Sequence, residues 1–409
     1  MHKDDARRVV VTGMGVVSAL GNSVDDFWRA LCAGSSGVRL VERGGELWPE
    51  PACFPAAQVN PQRHLAVPSH LSPEFLDDFS LFALDAAGQA LAQAGLDSFT
   101  TRRQSVGVLL GSAVGGDSAR NLATWRVYVK HRPPAPNTII RAMANGAVSA
   151  VTLAYGLQGP SAAISSACAS GTHAIGQAAA LIRAGAADIM LAGGSEQLPS
   201  YSLYRSWRQM HVLAREQCRP FQAGRDGMVL GEGAAVLVLE SLASARERGA
   251  DILGEIGGYA MNASATDWTV PDSATMAACM QTAIRSAGWQ PGRVAFINAH
   301  GTGTLQNDAA EAAAIHSVFG SRASEIAVSS TKAAHGHALG AAGALECVAA
   351  LMALRHRLVP PNGPRHDADA DCALDIVHGA ARPFEGDCAL SHSFAFGGLN
   401  GVLALSAAN

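Results

Sequence analysis

Charge is scarce in this sequence. Only 16% of its 409 residues are Asp, Glu, Lys or Arg, against roughly 25% in an average domain. So little charge implies an extensive interior or an oligomer that covers much of the surface. No basic run is present, and 30 Lys and Arg against 34 Asp and Glu leave a net charge of −4. That excludes the electrostatic footprint of nucleic-acid binding. The eight cysteines (Cys32, Cys53, Cys168, Cys218, Cys279, Cys347, Cys372 and Cys388) include no Cys-x-x-Cys pair. Neither a disulfide framework nor a zinc site is expected, and a reducing cytoplasm fits. The start, Met-His-Lys-Asp-Asp, is acidic and lacks the apolar run of a secretory leader. A membrane span is not expected either. Residues 142–182 carry no Asp, Glu, Lys or Arg, but Gly146, Ser149, Gly156, Gln158, Gly159 and Pro160 interrupt them before about 20 apolar residues accumulate. They read as the buried centre of the protein.

What is present is an alternation of short β-rich runs with Ala-rich amphipathic segments. Strands are expected over 8–13, 106–111, 189–192, 234–240, 252–257, 294–298, 326–329, 373–376 and 402–405. Helices are expected over 24–33, 75–95, 170–184, 242–248, 274–287, 307–319 and 343–354, with Ser23 and Ser241 as N-caps. This pattern predicts α/β layers around buried sheets. At about 150 residues per unit the length allows one large or two fused units, and a boundary near residue 251 divides the chain into 1–251 and 252–409.

Four segments carry chemistry. Gly13-Met14-Gly15-Val16-Val17-Ser18 follows a strand as a dinucleotide fingerprint would, but Ser18 stands at its third glycine position. A plain tight turn is the better reading. Ser166-Ala167-Cys168-Ala169-Ser170-Gly171 places a cysteine at the entry to a helix. There it is either a nucleophile, its pKa lowered by backbone N–H groups and the helix dipole, or a buried structural thiol. Asn298-Ala299-His300-Gly301-Thr302-Gly303-Thr304 and Ser329-Ser330-Thr331-Lys332-Ala333-Ala334-His335-Gly336-His337 set histidines and a lysine at strand ends. Open α/β sheets bind ligands there. A cysteine, two histidines and a lysine suit thioester chemistry, with the histidines donating to a developing oxyanion. A metal would need a carboxylate or cysteine beside the His-x-His pair, and none is adjacent.

Taken with Phe394-Ala395-Phe396-Gly397-Gly398, these motifs resemble the elongating β-ketoacyl-acyl-carrier-protein synthases, from Val11-Thr12-Gly13-Met14-Gly15 to Gly398-Leu399-Asn400-Gly401. The resemblance implies a thiolase-like αβαβα fold of two similar halves, working as a dimer. The partner would be a second copy or a related chain-length factor. It implies decarboxylative condensation of malonyl-carrier with a Cys-bound acyl chain. Cys168 would be the acyl acceptor, His300 and His337 the malonyl-side pair, and Lys332 the active-site lysine. Asp308 and Glu311 would belong to the polar network, with Glu311 as the partner of Lys332. The N–H groups of Cys168 and Phe396 would form the oxyanion hole. No cofactor or metal is implied, because the substrates ride on the phosphopantetheine of an acyl carrier protein. His335 and His173 are expected to be structural. A non-elongating chain-length factor is the alternative; such proteins lack the nucleophilic cysteine. A thiolase would need a second catalytic cysteine, and Cys372 and Cys388 have no such motif.

The chain also departs from that family. Its loop Ala395-Phe396-Gly397-Gly398-Leu399-Asn400 replaces Gly-Phe-Gly-Gly-Thr-Asn, and His392 replaces a usual Asn. Asp77 matches a family Asp, but its flanking segment 71–78 is acidic where basic residues are common. Lys130, Arg132, Arg205 and Arg208 are then the candidates for carrier docking. Tyr201, Tyr204 and Trp207 recur every three residues and would share a helix face. That face is expected to line a slot for a planar acyl chain or to pack a dimer interface.

Overall fold

Val9–Ser18 is a ten-residue strand, buried throughout, at the middle of the protein. The expected tight turn at Gly13–Ser18 is therefore absent: the strand runs straight through it. Its glycines serve a different need. A Cβ on Gly13 would stand 2.1 Å from the Ala90 carbonyl oxygen, and one on Gly15 would stand 1.9 Å from that of Ala86. Both carbonyls belong to the helix Asp78–Gln93, which lies directly on the strand. Close strand–helix approach thus accounts for the glycines. The computed structural model describes residues 7–60, 67–96, 105–364, 367 and 369–408. The first six residues, on which the reading of a missing leader rests, lie outside the described ones.

One side of Val9–Ser18 continues through Gly233–Ser241, Ile189–Glu196 and Val106–Gly111 to the edge strand Ser161–Ile164. The other side continues through Gly254–Ala263, Leu399–Ser406, Cys388–Phe394, Phe296–Asn298 and Ala327–Ser329 to the short Asp375–Ile376. The two series meet only where Val10 and Val11 pair with Glu255 and Gly254. Numbered along the chain, the strands run 3-2-4-5-1 in both series, with the short strand added outside the second. The pairings also repeat, parallel at the outer strands and antiparallel at the inner ones.

Helices Ser170–Arg183 and Ala342–His356 fill the space between the two sheets. Asp78–Gln93 and Gly146–Tyr155 cover one outer face, and Ser273–Ser286 and Leu305–Phe319 cover the other. Separate apolar clusters fill the middle layer and the two outer ones. The protein has the thiolase-like, five-layered αβαβα fold. Among the described residues, Leu339–His356 is long and apolar enough to cross a membrane by length and composition, yet 89% of it is buried inside the fold. It is a core helix.

Several elements escaped the sequence pattern. The central strand Cys388–Phe394 carries Ser391, His392 and Ser393 and lacks an apolar signature. Residues 142–182 are only partly the buried centre: most of Ser170–Arg183 is buried, but Ser161 and Ala162 are exposed on the edge strand. Leu153 on the neighbouring helix is 65% exposed.

Candidate active site

Cys168 stands in a sharp elbow between Ser161–Ile164 and Ser170–Arg183. Ala167 takes φ 50°, a left-handed conformation that costs a residue with a Cβ on the order of 1 kcal/mol. Ser170 holds the elbow: its Oγ donates to the Ala167 carbonyl at 2.6 Å and accepts the Ser166 N–H at 2.9 Å. His337 stands just ahead of the other middle helix. The two helix starts can meet because their contact is made of small residues. A Cβ on Gly171 would lie 2.9 Å from the Gly340 carbonyl and 3.0 Å from the Ala344 nitrogen. His300 follows the strand Phe296–Asn298, and Lys332 opens the short helix Lys332–His335 after Ala327–Ser329.

Their side chains converge. The ligating atoms of Cys168, His300 and His337 lie within 4.8 Å of one another, all buried. The two imidazoles meet edge to face, with centroids 5.4 Å apart. A cavity of about 470 Å³ opens above them, lined by Phe394, Phe396, Trp207 and Thr302 among others. Such a grouping could also hold a metal, but Lys332 Nζ lies 3.3 Å from His300 Nδ1, and its charge opposes a second cation. Backbone N–H groups of Phe396 and of Cys168 itself face the Cys168 sulfur and favour its thiolate. These are the two groups expected to form an oxyanion hole.

The thiol pKa moves opposite to expectation. Burial pushes Cys168 up to about 11, outweighing the Lys332 charge and the two N–H groups that pull it down. Desolvation penalises a thiolate more here than the elbow's donors favour it. Burial, followed by the Lys332 charge, holds His300 and His337 well below the ordinary imidazole value. Both are neutral. Neither ring nitrogen of His337 has a hydrogen-bond partner among the described residues.

Lys332 does not pair with Glu311 as expected. Its ion-pair partner is Glu346, both fully buried, and it also donates to the His300 carbonyl at 2.6 Å. Glu346 escaped sequence reading, although a lone acid in the apolar helix Ala342–His356 was a visible signal. Burial raises its carboxyl to about 7 against the pull of Lys332. Glu311 accepts the backbone N–H groups of His300 and Gly301, each at 2.8 Å, and His392 Nδ1 at 3.0 Å. Asp308 accepts the N–H groups of Phe221 at 2.8 Å and Gly303 at 3.2 Å, with Arg225 3.5 Å away. Burial raises it to about 7. Both acids hold the backbone around His300 in place.

His335 is buried, bonded to Thr331 Oγ at 2.9 Å and packed near Phe27. His173 does more than pack its helix. Its Nδ1 meets Ser166 Oγ at 2.7 Å and its Nε2 meets the Asn400 carbonyl at 3.1 Å, joining the Cys168 elbow to the Phe396 loop. That loop turns tightly, with Ala395 N–H on the Leu399 carbonyl and Gly397 N–H on the carbonyl of Trp268. Trp268, absent from the sequence reading, is 83% exposed at the cavity rim.

The three aromatic residues of Tyr201–Gln209 separate. Tyr204 stacks on Phe54 at 4.1 Å, and Tyr201 meets Trp48 at 5.5 Å, in an apolar cluster that also holds Cys168 but off its cavity. Only Trp207 lines the Cys168 cavity, stacked on Phe396 with centroids 5.8 Å apart. Asp77 accepts from Ser118 at 2.6 Å and from Arg141 at 3.0 Å. Of the basic candidates, Lys130 pairs with Glu46 and Arg205 with Glu50, while Arg208 lies 6.0 Å over the Tyr204 ring.

Residues 6–245 match the family model of the β-ketoacyl synthase N-terminal domain, and residues 253–364 match that of its C-terminal domain. The chain is 41% identical to 3-oxoacyl-[acyl-carrier-protein] synthase 2 of Coxiella burnetii over 415 residues, covering 98% of this chain and 99% of that protein. Among solved structures, the ishigamide ketosynthase/chain length factor matches with a TM-score of 0.92 at 30% identity, covering 99% of this chain and all of that one. A type II polyketide synthase ketosynthase, solved with its acyl-carrier protein, matches with a TM-score of 0.89 at 32% identity, over 98% of this chain and all of that one. The chain belongs to the β-ketoacyl synthase family, thiolase-fold acyltransferases that join a malonyl unit to an acyl chain by decarboxylative Claisen condensation and take no free cofactor.

Proposed function

We propose that Cys168 carries the growing chain, and that His300, His337 and Lys332 serve the malonyl half of the reaction. The convergence of Cys168, His300 and His337 within 4.8 Å beneath one cavity supports this most directly. The Cys168 sulfur attacks the thioester of an acyl carrier protein, and the carrier thiol leaves with the proton. The N–H groups of Cys168 and Phe396 hold the oxyanion. Malonyl-carrier then loses CO2. Neutral His300 and His337 donate to its thioester oxygen as negative charge develops there, and the carbanion attacks the acyl-Cys168 carbonyl. The thiolate leaves and is reprotonated, and β-ketoacyl-carrier departs. In this division 1–251 supplies the nucleophile and 252–409 supplies the histidines and lysine. All eight cysteines are free thiols, which supports a cytoplasmic setting.

The partners are an acyl carrier protein and a second synthase-like chain. The sheet ends in the open edge Ser161–Ile164, beside a surface bearing Leu153 and Ile139, the latter 72% exposed. An apolar surface next to an unpaired strand marks a protein interface. A second copy or a chain-length factor would cover it. Light scattering of the purified chain, alone and with Leu153→Glu, reports the assembly. A wild-type monomer would exclude the homodimer. The chemical assignment is tested by intact mass: acyl-carrier should add its acyl group to the wild-type chain and leave Cys168→Ala unmodified. Acylation of Cys168→Ala would refute it.

A further inference from the structure

We propose that His392 is a positioning residue for the malonyl half-reaction, acting on His300 through Glu311. The inference rests on the role given to His300 above. Glu311 is fully buried, and Lys332 is committed to Glu346. Three N–H donors surround the Glu311 carboxylate: His300 N and His392 Nδ1 on Oε1, and Gly301 N on Oε2. Both carboxyl oxygens already accept a backbone N–H, so the His392 Nδ1 contact to Oε1 is read with the imidazole as donor. The carboxylate in turn fixes two successive backbone groups of the His300 turn. That turn is tight: Gly301 has φ 36°, and a Cβ there would stand 2.6 Å from Ser330 Cβ and 2.8 Å from the Phe221 ring. Rotation of the Glu311 carboxylate would release the backbone that aims the His300 ring. His392 prevents this from the neighbouring strand Cys388–Phe394, which pairs in parallel with Phe296–Asn298. A second contact runs in the same direction, since the Phe394 ring lies 5.4 Å from His392 and 6.1 Å from His300.

Chemistry also explains why histidine can stand where the resemblance leads one to expect Asn. His Nδ1 and Asn Nδ2 are both two bonds beyond Cβ, so either can present a donor at the same reach. The test compares His392→Phe, which keeps a ring and loses the donor, with His392→Asn, which keeps the donor and loses the ring. Labelled CO2 release from malonyl-carrier and acylation of Cys168 are measured separately. His392→Phe should slow CO2 release by tenfold to a hundredfold, on the order of the loss expected from a displaced reacting group, and leave acylation within about twofold. His392→Asn should recover most of the CO2 release. Should Phe prevent folding, His392→Met replaces it, being adaptable and without a donor. Normal CO2 release in the donorless variant, or equal loss of both half-reactions, would overturn the proposal. If His300→Ala loses CO2 release while the donorless variant keeps it, the reading of His300 stands and the role of His392 falls. If His300→Ala keeps it, the underlying reading falls first.

Discussion

Lys332 sets the tautomer of His300. Its ammonium lies 3.3 Å from His300 Nδ1 and donates to the His300 carbonyl at 2.6 Å. An ammonium has no lone pair to offer, so Nδ1 must accept and Nε2 must carry the hydrogen. Protonating the ring as well would set two cations together, at a cost of about 5 kcal/mol for an effective dielectric near 20. Nε2–H is the donor a developing enolate oxygen needs.

Replacing Lys332 should therefore separate two effects. Lys332→Met leaves Glu346 buried and unpaired, which should lower stability by about 3–5 kcal/mol. The double variant Lys332→Met/Glu346→Leu should regain most of that stability and still release CO2 slowly, because the His300 tautomer is no longer set. The Glu346 carboxyl already stands at about 7 in the intact pair, and losing Lys332 raises it further. Below that value it is protonated and the penalty of a buried charge disappears, so the single variant should melt closer to wild type at pH 6 than at pH 8. Thermal unfolding at both pH values and CO2 release decide it. A double variant with normal CO2 release would detach Lys332 from His300.

The Cys168 thiol should show its burial in its reactivity. With the group pushed up to about 11, the thiolate is the minor form throughout the neutral range. Alkylation by iodoacetamide should rise about tenfold per pH unit from pH 6 to pH 9 without a plateau. Lys332→Met should slow it at each pH, since the lost charge favoured the thiolate. A plateau below pH 8 would show that the elbow's donors prevail over desolvation.

His300→Ala and His337→Ala should each lower CO2 release by roughly 10²–10³, the usual loss for one oxyanion donor. Acyl transfer should stay within a few-fold, because the proposed mechanism assigns its oxyanion to backbone N–H groups of Cys168 and Phe396 and not to the histidines. Intact mass for acylation and labelled CO2 for decarboxylation give the comparison. Parallel losses in both assays would abolish the division of labour.

Trp207 should influence which chains are accepted. It alone of the three aromatic residues on its helix reaches the Cys168 cavity, where it stacks on Phe396. A planar conjugated chain would gain from that face about 0.5–1.5 kcal/mol, or about 2- to 12-fold. Trp207→Leu should lower kcat/KM for polyenoyl-carriers by that factor more than for saturated carriers of equal length. Equal losses would reduce Trp207 to a packing residue.

The chemistry was legible in the sequence because each reactive side chain sits in a short local motif at a strand end or helix start. Cys168, His300, Lys332 and His337 stood out as candidates only when their segments were read together and with the resemblance they carry, and the alternation of strands and helices was enough for the α/β layers. Ser23 and Ser241 cap their helices as read, accepting the N–H groups of Asp26 and Ser244. Partnerships between distant segments were not legible. Glu346 lies 14 residues from Lys332, and Glu311 lies 81 from His392. No local pattern says which buried acid meets which donor, because burial must be shared among all of them at once. The thiol of Cys168 was left open for the same reason: the elbow's donors are local, whereas desolvation comes from every layer around it. The glycines of Val9–Ser18 resembled a turn until the helix Asp78–Gln93 was laid across them. Tyr201, Tyr204 and Trp207 share a spacing and an apolar cluster, but only Trp207 lines the cavity. Local propensity and motif determined the elements and the reactive groups; tertiary packing decided which charges are paired, which are desolvated and which ring faces the substrate.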